Sequence, residues 1–117
     1  TRALKALLRA LEEAGAARPF DTEAFARANT GFHDFFVEQG GGPLLARMLR
    51  VLRAAAERYT RLSVSLATEI EASQAEHRAI VHAFAAGDAA EVGRLLDAHC
   101  RNTAGRLLTH LPERGTP

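Results

Sequence analysis

Five histidines stand in this chain: His33, His77, His82, His99 and His110. Neutral imidazole is a common metal ligand and also a hydrogen-bonding group that a core can absorb. Which reading applies depends on which of the five can meet. On a helix each residue advances about 100° and 1.5 Å. Asn29 and His33 are four residues apart, so they share a face one turn apart. His77 stands beside Ile80 and Val81, and His99 lies on the stripe set by Leu95 and Leu96. Asn102, three residues on, takes nearly the same face as His99. His82 is turned about 140° from His77 and cannot easily share a centre with it. His110 returns to the face of His99 but roughly 16 Å along, too far to ligate the same ion. Three histidines on the inward faces of three segments remain, with Asn29 beside one of them. They are either satisfied polar groups in a core or a metal site of the kind helical bundles build from facing helices. No HExxH and no paired CxxC accompanies them, so no local motif decides between the two.

The elements that would hold these residues read as helical throughout. Ala and Leu dominate, β-branched residues are scarce, and Gly and Pro punctuate at a few places. Leu4, Leu7, Leu8 and Leu11 repeat at the spacing of one buried stripe, which predicts a helix from about Ala3 to Ala14, stopped by Gly15 and Pro19. Asp21 or Thr22 can cap the next, whose Phe25, Phe32 and Phe36 line one face with Ala28 and Asn29 alongside. Gly40-Gly41-Gly42-Pro43 ends it and opens a long helix to about Leu66, with Leu45, Met48, Leu49, Leu52, Ala56, Tyr59 and Leu62 on its apolar side. Ser73-Gln74-Ala75-Glu76 has the form of a capping box and predicts a fresh start, with Ile80, Val81 and Phe84 inward. Gly87 ends that helix. Asp88 caps a last one carrying Val92, Leu95, Leu96, His99, Leu107 and Leu108. Gly31, Gly93 and Gly105 are read as tolerated inside helices. Five helices with short connections imply an all-α antiparallel bundle.

Composition narrows the function. At 117 residues the chain is one domain, and 47% apolar content lets it bury a core. With 15 Lys+Arg against 14 Asp+Glu, charge alone gives no grip on nucleic acid. No run approaches the ~20 apolar residues of a membrane span, so no membrane partner is expected. A single cysteine, Cys100, excludes an internal disulfide and fits a cytoplasmic setting. It is read as a small buried residue and not as a nucleophile. Glu12 and Glu13 within an N-terminal stretch that lacks an apolar core argue against a signal peptide. The start at Thr1 is read as that of a piece of a longer protein.

Several of these residues fall into a familiar order. Glu76-His77-Arg78-Ala79-Ile80, then Ala83, Gly87-Asp88, Ala90, Leu95 and His99 resemble the C-terminal signature of the FCD domain, the effector-binding domain of GntR-type transcription regulators of the FadR subfamily. Phe25 to His33 resembles the family's acidic-or-amide-x-x-x-His element, and Gly40 to Leu45 its G-N-P-x-L connection, with Gly42 where Asn is usual. The resemblance runs from about Ala3 to Leu111. It implies an antiparallel helical bundle, usually a homodimer, that holds a divalent metal (Zn, Ni or similar) at the floor of a pocket for a small organic acid. Carried over, the ligands are Asn29, His33, His77 and His99, with Asn29 where many relatives carry Asp. DNA would be read only through an N-terminal winged helix-turn-helix that nothing in these residues resembles. The family's first helix is expected to be cut or missing. Residues 1–111 are then the sensor domain and 112–117 a frayed tail.

Three further residues could face an effector. Arg53 resembles a family position that often faces the pocket, where a guanidinium would clamp a carboxylate in bidentate fashion. Asn102 could hydrogen-bond the ligand or a metal-bound water, and Tyr59 could offer its hydroxyl. Each has a plainer reading, as a solvated arginine, a surface amide or a core aromatic with a wet tip. The functional reading is a ligand sensor and not an enzyme. A metal-dependent hydrolase would need a general base, and Glu76 and Asp97 are read as flanking His77 and His99 on the wrong sides. A structural interaction bundle without metal is the remaining alternative.

Overall fold

A computed structural model describes residues 1–40 and 67–110, with side chains for 1–39 and 70–106. These residues form four helices and no strand: α1 (Arg2–Ala16), α2 (Thr22–Gly40), α3 (Ala67–Ala85) and α4 (Ala89–His110). The long helix expected from Pro43 to Leu66, with the turn before it, lies outside the described residues, as do Leu111 and the tail.

The leucine stripe of α1 drives its burial. Leu4 and Leu11 are fully buried, and Leu7 and Leu8 pack partly buried against them. Gly15 does not end this helix. It is buried within the last turn, and Ala17 leaves the helix in extended backbone. What stops α1 is Pro19, which disfavours helical backbone at the residue before it. Arg18 then turns back to donate to the carbonyls of Gly15 and Ala17, at 3.1 and 2.7 Å. The glycine has a packing role instead. A Cβ at position 15 would lie 2.8 Å from Nε2 of Gln74 and 3.5 Å from both Ile70 Cγ2 and Phe25 Cε1.

Asp21 caps α2 by accepting from the Ala24 amide at 3.1 Å. Phe25 and Phe32 face inward and are buried, with Phe36 partly so. Gly15 lies by Phe25 and Gly31 by Leu7, so α2 runs back antiparallel along α1.

α3 corrects the expected start at Ser73. The helix is already formed at Ala67, and Ser73 lies inside it. Ile70 packs on the core and Gln74 is buried against α1, so tertiary packing carries the helix through a polar stretch that resembles a cap. Its C-terminus behaves as the sequence predicts. Gly87 takes φ +75°, a backbone that favours glycine. The Asp88 amide reaches the Ala83 carbonyl at 3.1 Å and the Gly87 amide that of Phe84 at 3.0 Å, a Schellman closure. Asp88 then caps α4 through the Glu91 amide at 3.0 Å. Contacts of residues 76 and 77 with residues 99 and 102 place α4 antiparallel to α3.

The chain is therefore an all-α helical bundle. Its core joins Leu4 and Leu11 of α1, Phe25 and Phe32 of α2, and Ile80 and Val81 of α3, with Leu95 and Leu96 of α4 packed against them. Cys100 is exposed, contrary to expectation. With His99 turned inward, the next residue lies about 100° round the helix and meets solvent. No described helix is long and apolar enough to cross a membrane.

Leu11→Ala should destabilise the fold by about 2–5 kcal/mol, because a fully buried leucine leaves a cavity. Leu8→Ala, at a partly exposed site, should cost clearly less. Urea denaturation of the two variants compares them.

Candidate metal centre

Three buried imidazoles meet at the centre of the bundle: His33 from α2, His77 from α3 and His99 from α4. One ring nitrogen from each lies within 4.8 Å of the others. Their order follows from ring packing. His33 and His99 stack nearly parallel, 7° apart with centroids at 4.9 Å. His77 meets His99 edge-on at 4.6 Å and is backed by Phe32 at 4.8 Å. Phe32 immediately precedes His33, so one turn of α2 supplies both an apolar wall and a ring of the cluster.

The protons of these rings can be partly assigned. Nδ1 of His99 lies 2.7 Å from Oε1 of Glu76. A carboxylate only accepts, so Nδ1 carries the proton and a neutral His99 has its lone pair on Nε2. That Nε2 faces Nε2 of His33 at 3.2 Å. Two ligands about 2.0–2.1 Å from a tetrahedral zinc stand roughly 3.3 Å apart, so this separation suits two imidazoles sharing an ion. The donor set fits a borderline divalent metal such as zinc or nickel.

Beneath the rings lies a ring of polar partners. Oε1 of Gln74 is 3.0 Å from Nδ1 of His77, and its Nε2 donates to the Leu11 carbonyl of α1 at 2.8 Å. Glu76 accepts from His99, from Asn102 at 2.7 Å and from Arg106 at 2.8 Å. Burial pushes the Glu76 carboxyl up, but the hydrogen bonds from Arg106, His99 and Asn102, with the Arg106 charge, outweigh it and hold the group below its ordinary value. A carboxylate on the far nitrogen of a ligating histidine fixes ring orientation and raises ligand basicity.

The structure thus brings His33, His77 and His99 together and leaves His82 exposed on α3. Asn29 is buried one turn before His33 on α2. Asn102 is exposed, with its amide on Glu76. Arg53 and Tyr59 lie outside the described residues. Glu76 corrects the sequence reading: it reaches His99 across the α3–α4 pair, and does not fold back on Ser73. Gln74 and Arg106 were also missed. A signal existed for both, since Gln74 is one turn before His77, and Asn102 and Arg106 continue the face of His99.

The chain matches the FCD domain over residues 1–102 of its 117. It belongs to the FCD family. Membership implies a ligand-sensing regulatory domain, FCD domains bind metals, and three buried histidines in close array are compatible with that. No match was found among curated proteins or solved structures.

Glu76→Gln tests the polar partner of His99. A carboxyl held low when folded contributes stability that is full above the ordinary glutamate value and is lost as pH falls through the lower folded one. Wild type should therefore exceed Glu76→Gln by about 1–3 kcal/mol at neutral pH, with the gap narrowing in acid. Denaturant melts at the two pH values check the sign.

Proposed function

We propose that this FCD domain is the effector-sensing part of a GntR-type transcription regulator, and that His33, His77 and His99, with Asn29, hold a divalent metal at the floor of a pocket for a small carboxylate. The observation that carries the reading is the meeting of three buried imidazole nitrogens within 4.8 Å, from three different helices. A core that only needed apolar filling would gain nothing from three polar rings in one place. Asn29 is the fourth ligand by its place on the His33 face and by its match to the family's acidic-or-amide position.

The donor chemistry bears on the effector. Three neutral imidazoles and an amide oxygen would leave a bound divalent ion its full positive charge, available to an anionic carboxylate on open positions. Arg53 would add a bidentate clamp, with Tyr59 and Asn102 as further contacts. Residues 1–111 act as the sensor unit, and two copies form the dimer across which DNA-binding domains outside this chain are spaced. For ligand to alter DNA binding, it must favour one helix arrangement over another.

The same site's hydrogen bonds disfavour catalysis. Among the described residues, the carboxylate seen on the cluster, Glu76, is engaged by an imidazole, an amide and a guanidinium, and is a poor general base.

Elemental analysis of the purified chain should find zinc, nickel or a similar ion in stoichiometric amount, lost in His77→Ala and His99→Ala. Asn29→Asp should tighten the metal, because a carboxylate is a stronger ligand than an amide, and should weaken binding of citrate as a test carboxylate. Tighter citrate binding by Asn29→Asp, followed calorimetrically, would contradict the charge argument.

A further inference from the structure

Gln74 carries a role that neither the family match nor the ligand set assigns. It is a buried amide, 4% exposed, placed between α1 and the histidine cluster. An amide has one accepting and one donating end, and its surroundings decide which way it lies. The Leu11 carbonyl can only accept. It therefore takes the Gln74 amino group, at 2.8 Å, and sends the carbonyl end toward His77. At 3.0 Å from that oxygen, Nδ1 of His77 must donate. A neutral ring protonated on Nδ1 carries its lone pair on Nε2. Each step is forced by the one before it, and the chain starts at a backbone carbonyl that cannot change its role.

Position 15 keeps the arrangement open. A helical Cβ leans toward the N-terminus, so a side chain at 15 would stand over the Leu11 carbonyl one turn back. Its Cβ would lie 2.8 Å from the Gln74 amino nitrogen, too close for both to remain. The glycine that fails to end α1 gives Gln74 access to that carbonyl.

We infer that Gln74 is a positioning residue, anchored on the Leu11 carbonyl of α1, that keeps the His77 proton on Nδ1 and so presents Nε2 as the ligand nitrogen. The tautomer is set in the protein alone; its use in metal binding rests on the function proposed above. His99 is treated in parallel by Glu76, so two of the three rings have their far nitrogen fixed by a side chain of α3. The difference is that Gln74 ties its ring to α1.

The test uses the metal-free, full 117-residue chain. Long-range proton–nitrogen NMR of the His77 ring should find the proton on Nδ1 in the wild type. Gln74→Leu, which keeps bulk but not hydrogen bonding, should move part of the population to the Nε2-protonated form and weaken zinc binding by about 10–100-fold. Gln74→Glu, which keeps the acceptor toward His77 but loses the donor to the Leu11 carbonyl, should restore the Nδ1 proton and part of the zinc affinity. A purely packing role predicts the reverse order, since a buried carboxylate is costlier than leucine. A wild-type ring protonated on Nε2 overturns the inference, whether or not the variants fold and whether or not zinc binds. So does a Gln74→Leu ring with the wild-type proton distribution.

Discussion

Three imidazoles packed together in an apolar core impose the constraint on which the rest of the bundle depends. Each ring brings two nitrogens out of water, and a buried polar group without a partner costs about 1–3 kcal/mol. Helix positions that satisfy only the apolar contacts would not suffice. α3 answers by placing Gln74 and Glu76 on either side of His77, one serving His77 itself and the other reaching His99 on α4. α4 answers with Arg106 and Asn102, which hold Glu76 in its charged form. α1 answers with the Leu11 carbonyl and with the absence of a side chain at Gly15. The register of every described helix is thus tied to the cluster by polar contacts as well as by packing, and a polar network of this kind selects one arrangement more sharply than apolar burial does.

The same network bears on regulation. A sensor needs its binding site to be mechanically continuous with the elements that carry the message. Here the His77 ring is two hydrogen bonds from the backbone of α1, and the His99 ring is linked through Glu76 to a guanidinium seven residues along α4. By contrast, the Arg78 pairs with Glu12 and Glu71 lie on the surface and contribute little.

Much of this was legible in the sequence, and the limits are instructive. Periodicity placed Leu4, Leu11, Phe25, Phe32, Ile80 and Val81 in the core because a stripe at helical spacing needs only one helix to be recognised. The same spacing separated His33, His77 and His99 from His82. The Asp21 and Asp88 caps and the Gly87 turn were equally local. The errors at Gly15, Ser73 and Glu76 share one cause. Each carries a local signal, for a helix stop or a capping box, that is outweighed by tertiary contacts: Gln74 and Phe25 close on Gly15, Ile70 and Gln74 pack the helix around Ser73 against the core and α1, and His99 takes Glu76. Periodicity assigns a residue to a face but does not name what stands opposite. The place of Gln74 one turn before His77 was legible, but its anchor was not, since that partner is a main-chain carbonyl 63 residues away that no side-chain pattern reveals.

The central claim is that the cluster binds a metal in the folded chain and not in the unfolded one. Thermal unfolding with zinc and then with excess chelator tests it most directly. A ligand that binds only the native state stabilises it by about 2.7 kcal/mol at a hundredfold excess over Kd. The account predicts a clear rise in Tm with zinc, reversed by chelator and absent in the His33→Ala variant. Coincident melts of the wild type in zinc and in chelator would contradict it and leave the three histidines as structural groups.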